Sequence, residues 1–176
     1  MFRQTHVIFV NVSRPVNSHI KLLANFFSLG KAMSKDLIVQ DSTSIKIDFL
    51  KSIGSDRVKH SGRTLLEHLI GTSEKLKELG VPEYLQDAGL FHSVYGTAYF
   101  MPQGGLVDDR QVVKDLIGEQ AEEVAYWFCM LDKPRLQKIY KMEPLQLRND
   151  LVMLDRANRE DQQIVDMMSW EEAYDL

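Results

Sequence analysis

The chain has one cysteine, Cys129, in 176 residues, so it can form no internal disulfide and offers no thiolate pair to zinc. Long apolar runs are missing too. Nothing approaches the ~20 residues that a membrane-spanning helix needs, and a membrane is not among the expected partners. Clustered Lys and Arg are absent from a chain of formal net charge −4. That argues against nucleic acid as a partner, because phosphate contacts require such clusters. The composition, 44% hydrophobic and 26% charged, excludes collagen-like, low-complexity and largely disordered chains. With so little cysteine, a reducing compartment, the cytoplasm, is the expected location.

Acidic residues are also missing from the first 35 positions, which hold Arg3, Arg14, Lys21, Lys31 and Lys35. The remainder then has 16 basic and 25 acidic residues, a net charge of −9. Two readings of residues 1–40 stay open: an organellar import segment, or an upstream extension with Met33 as the start. Within it, Thr5 to Val12 has the look of a strand and Asn17 to Leu29 that of a short amphipathic helix. The domain proper is expected over 41–176, as one all-α helical bundle.

From Ser44 onward the apolar spacing is helical. Ile45, Phe49, Leu50 and Ile53 form a stripe closed by Gly54. Thr64 followed by Glu67 is a capping-box pattern that predicts a helix to about Leu79, stopped by Gly80 and Pro82. Pro82 opens the next, through Leu85, Ala88 and Phe91 to about Tyr95. Residues 96–107 read as a loop. Asp108 or Asp109 caps a helix with Val112, Val113, Leu116 and Ile117, ended by Gly118. Another carries Val124, Ala125, Phe128, Cys129 and Leu131, and a longer one carries Leu147, Leu151 and Leu154. The tail with Val165, Met168 and Trp170 is expected to be helical as well.

The chemistry has to come from histidines. His6 and His19 lie in the extension; His60 precedes the Thr64 helix, His68 lies within it, and His92 lies near the end of the next. His68 shares a face with Leu65, Thr72 and Leu76, and His92 with Leu85, Ala88 and Gly89, so both imidazoles point inward. Each has a glycine three residues away, Gly71 and Gly89. A glycine inside a helix costs about 1 kcal/mol relative to alanine, and close approach of another backbone is the usual reason for one. The expectation is that two helices cross at their glycines and bring His68 and His92 together. Neutral imidazoles ligate zinc, iron, manganese or nickel, and Asp155 on the Leu147–Leu154 helix is a candidate oxygen donor. The competing expectation is that each ring makes ordinary core hydrogen bonds.

The stretch from His68 to Gly80, followed by Ala88-Gly89-Leu90-Phe91-His92-Ser93-Val94-Tyr95-Gly96-Thr97, resembles the core of the HD-domain superfamily, most nearly its alarmone hydrolases. There, too, a first histidine is followed about two dozen residues later by a second, and Asp155-Arg156-Ala157-Asn158 is similar to the family's last metal-ligand element. The wording around Leu65 to Thr97 is also similar to a related group of short helical domains with no assigned activity. The resemblance implies an α-helical bundle, a central divalent metal (zinc, manganese or iron) and phosphohydrolase chemistry on nucleotides or similar small phosphate esters. Some relatives hold two irons and carry out oxygenation. One position departs from the pattern: the aspartate that should follow the second histidine is Ser93, a neutral and poor ligand. Either one metal is held by His68, His92 and Asp155 with His60 completing the shell, or metal binding is lost and the histidines contact a small-molecule ligand in a non-catalytic, regulatory domain.

Other residues are candidate ligand contacts. Ser93, Tyr95, Thr97 and Tyr99 are placed to line a mouth above His92, and Asn158 belongs to the last-ligand element. Arg63, with Arg57 and Lys59, flanks His60 and suits a phosphate or a solvated face. Glu119, Glu122 and Glu123 read as ordinary helix surface, and Cys129 as a small buried hydrophobe.

Overall fold

A computed structural model describes residues 42–97, 106–131 and 134–163, all within the compact unit Val39–Leu176. The expectations for the extension, for Tyr99 and for a helical tail lie outside the described residues. Helix α1, Ser42–Ser52, buries Phe49 and Leu50, and the Phe49 ring stacks on Phe91. Its Lys46 reaches Asp87 at 2.6 Å. A miniature hairpin follows, β1 (Lys59–His60) against β2 (Arg63–Thr64), turned by Ser61 and Gly62 with φ of 47° and 83°. Two successive positive φ values make the type of turn that suits strand twist. A reading for helical periodicity passes over this element, although Ser-Gly is a turn signal.

The capping box then starts helix α2, Leu65–Glu78, as expected. Thr64 Oγ1 accepts from the Glu67 N–H, and Glu67 Oε2 accepts from the Thr64 N–H. Gly80, at φ +70°, ends this segment. Pro82 caps helix α3, Glu83–Phe91, which is four residues shorter than the sequence predicts. The reason is His92 itself. Its ring Nδ1 takes the Gly89 carbonyl at 2.6 Å, the acceptor that a continuing helix would offer to the Ser93 N–H. Helix α4, Arg110–Ile117, is capped by the Asp109 carboxylate and stopped at Gly118. Helices α5 (Glu119–Met130), α6 (Arg135–Ile139) and α7 (Leu145–Asp161) complete the order. The five-residue α6 was not foreseen.

Among the described residues the fold is all-α apart from the hairpin. Helix α2 packs on α3 and α7, and α3 also packs on α5. The core between them is Leu65, Leu69, Leu76, Leu85, Phe91, Phe128, Leu151 and Leu154, all nearly solvent-free. No described helix is long and apolar enough to cross a membrane.

Candidate functional site

Helix α2 and helix α3 deliver the two histidines to one point. Gly89 is the reason they can approach: a Cβ there would run into the Leu76 side chain and lie 3.5 Å from the Ser73 backbone. His68 and His92 are each 1% exposed, and their Nε2 atoms are 3.1 Å apart. The expected convergence of the pair is present. His60 stacks on His68, with ring centroids 4.4 Å apart, while Phe128 meets His92 edge-on at 5.3 Å. Cys129, buried as expected, donates its thiol to the His92 carbonyl at 2.9 Å. Burial pushes that thiol up to about 12.

The other glycine does something different from what its spacing suggests. Gly71 faces α7 rather than α3, and a Cβ at this position would overlap the Asp161 carboxylate. Asp161 Oδ2 sits 2.5 Å from His68 Nδ1 and is also ion-paired with Arg63. Gln162 Nε2 donates to Asn158 Oδ1 at 3.0 Å and stands 3.5 Å from His68 Nε2.

Proton positions follow from this geometry. The Gly89 carbonyl can only accept, so His92 must carry a proton on Nδ1 and, when neutral, a lone pair on Nε2. With Asp161 ionised against Arg63, His68 likewise donates from Nδ1 and presents a lone pair at Nε2. Two lone pairs then face each other across 3.1 Å, with the Gln162 side-chain amide 3.5 Å from His68 Nε2. Burial, the neighbouring His60 and Arg63 hold the His68 imidazolium down to about 3. Burial, then His68, holds His92 well below the ordinary histidine value, and burial with Arg63 lowers His60. Burial raises Asp161, opposed by Arg63. Both central rings are therefore neutral near pH 7, the form that binds metals.

The two Nε2 atoms offer at most two ligands to a divalent ion. Nitrogens about 2.0–2.1 Å from a common ion and 3.1 Å apart subtend about 95–100° at it, between the octahedral and tetrahedral angles. A carboxylate and a backbone carbonyl on the outer nitrogens are the usual supports of metal-bound imidazoles. The same face of α2 carries Thr72, whose buried hydroxyl has no hydrogen-bond partner among the described residues. A closed shell is a different matter: among the described residues, no group of three or more His, Cys, Asp or Glu side chains gathers to hold an ion.

The remaining sequence candidates fall elsewhere. Asp155, expected as the oxygen donor, is clasped by Arg159 at 2.7 Å and Arg135 at 3.4 Å. It is 2% exposed and serves as a buried ion pair; the carboxylate on His68 is Asp161, six residues further along α7. Ser93 and Thr97 are buried, so neither opens onto a mouth. Tyr95 turns away to Glu122, donating its hydroxyl at 2.8 Å. Glu122, expected on the surface, is fully buried and is held by Arg110 through both carboxylate oxygens, at 2.6 and 2.7 Å. Its spacing at i+3 and i+7 from Ala125 and Cys129 places it on the buried face; what spacing does not reveal is that Arg110 of α4 and the Tyr95 hydroxyl satisfy it there. Arg63 pairs with Asp161, whereas Arg57 is exposed.

A family model described as a domain of unknown function, DUF6817, matches residues 49–133. No curated protein matches, and no solved structure matches. The matched span contains His60, His68, His92 and Ser93 and stops short of α7, which brings Asp155, Asn158 and Asp161.

Proposed function

We propose that the domain is an HD-like, metal-dependent phosphohydrolase whose divalent ion is seated between His68 and His92. The observation that carries this reading is the 3.1 Å approach of the two Nε2 atoms while each Nδ1 is engaged by an acceptor. The family resemblance adds the phosphate-ester substrate class. An ion there would supply Lewis acidity toward a phosphate ester. His92 is locked in place by the last turn of its own helix through Gly89, and His68 by Asp161. Both rings are 1% exposed, which favours their neutral form. With two imidazoles as the protein's share, phosphate oxygens of the substrate and water would complete the shell. Ion and substrate then bind together, as in sites where substrate phosphates supply ligands.

Chelator-treated full-length chain titrated with Mn²⁺ or Zn²⁺, with and without a nucleoside monophosphate, tests this by thermal shift. The expected result is a cation-dependent rise in Tm, larger with the nucleotide and abolished in His68→Ala and His92→Ala. No cation-dependent shift, or the same shift in both variants, overturns the proposal.

A second reading is favoured by Asp155, whose carboxylate is occupied by two arginines, and by Ser93. Under it the domain binds a small molecule without catalysis. A nucleotide-dependent shift that survives chelation would support that reading over the first.

A further inference from the structure

From the contacts around Gly71 we infer that Asp161 is a positioning residue for His68, and that position 71 is glycine to let its carboxylate in. The inference rests on the reading of His68 and His92 as the central pair, but it concerns the orientation of one ring and not the ion. Three observations meet here. Asp161 Oδ2 lies 2.5 Å from His68 Nδ1. The carboxylate is 6% exposed and is fixed from the other side by Arg63 of the hairpin. A Cβ on residue 71 would occupy the space of the Asp161 carboxylate, and the next atom it would meet is Arg63 Nη1 at 3.4 Å.

An aspartate at that distance accepts the Nδ1 proton and thereby leaves the Nε2 lone pair aimed at His92. Without it, His68 is free to carry its proton on Nε2 and donate it to His92 Nε2, closing the gap in which a cation would sit. The hairpin thus acts on the site through two steps, Arg63 on Asp161 and Asp161 on His68. Supports of this kind typically change metal affinity by about 10–100-fold when removed.

Gly71→Ala separates positioning from mere structure. The atom in its way is the end of a flexible side chain, so the carboxylate can swing aside, and alanine is the better helix former. The full-length variant should keep or raise its Tm while His68 loses its anchor. Long-range ¹⁵N–¹H NMR of the histidine rings, in chelator-treated protein near pH 7, reads the tautomer directly. We expect the His68 proton on Nδ1 in the parent and in Asp161→Asn, which keeps an acceptor. In Gly71→Ala and Asp161→Ala it should shift toward Nε2, with Zn²⁺ affinity reduced about 10–100-fold. A parent protein with the His68 proton on Nε2, or a folded Gly71→Ala with an unchanged tautomer, overturns the inference. If the parent binds no Zn²⁺, the metal reading fails, while the tautomer comparison still decides the role of Asp161.

Discussion

His68 and His92 are neutral only because they are buried, and this has a thermodynamic consequence. The unfolded chain protonates both rings near the ordinary value of about 6.5. The folded chain holds His68 down to about 3 and His92 well below 6.5. Below pH 6.5 the unfolded state therefore binds more protons, and stability falls with pH, His68 contributing until about pH 3. Asp161 works in the opposite sense, because its raised value lets the folded state take up a proton first. His60, lowered by burial, adds to the histidine effect. Each proton that the unfolded state binds in excess costs the fold about 1.4 kcal/mol per pH unit, so stability should fall from pH 6.5 to 5. Urea denaturation of metal-free protein at several pH values measures it, and a flat profile would mean that the rings are charged in the fold. Residue chemistry was only partly legible beforehand. The inward faces of His68 and His92 follow from helical spacing. Asp161 shares a face with Asn158 at i+3, and Arg159 stands at i+4 from Asp155, so both were readable in spacing. That Arg135, from a separate segment, also closes on Asp155 is not, because spacing carries no information about partners outside the helix.

Helix boundaries were legible where a local signal sets them. The Thr64–Glu67 box, Asp109 and the stops at Gly80 and Gly118 all act within a few residues of their own position. The end of α3 was not, because a side chain, the His92 ring, competes for the carbonyl that would have extended it. The two mid-helix glycines show the same limit. Their presence announced tight neighbours, but only the packed helices say which: α2 against Gly89, and the end of α7 against Gly71. This difference predicts opposite responses to alanine. At Gly89 the methyl would overlap the fully buried Leu76, which has little room to retreat, with the Ser73 backbone in contact beside it. The overpacking cost, typically about 1–3 kcal/mol, should exceed the gain in helix propensity of about 1 kcal/mol. Gly89→Ala should accordingly lower the urea midpoint and Gly71→Ala should not. Equal stability changes at the two sites would refute the assignment of their neighbours.

For the molecule as a whole, the question is how much chain is needed to close the core around the histidines. The family match ends at residue 133, yet α7 packs against α2, α3 and α5. It contributes Leu147, Leu151, Leu154 and Ala157 to the interior, all buried. Fully burying a leucine is worth about 1.5–3 kcal/mol, so the three leucines alone supply an amount comparable to the total stability of a domain, about 5–15 kcal/mol. Loss of α7 would also strip the His68 face of Asp161 and Asn158, and expose the α2 surface that Gly71 keeps low. A chain ending at residue 133 should therefore retain some helix by circular dichroism but lose cooperative thermal unfolding, whereas the full chain melts in a single transition. If the shortened chain still melts cooperatively near the midpoint of its parent, the core is complete without α7. In that case His68 must be held by contacts within residues 49–133 alone.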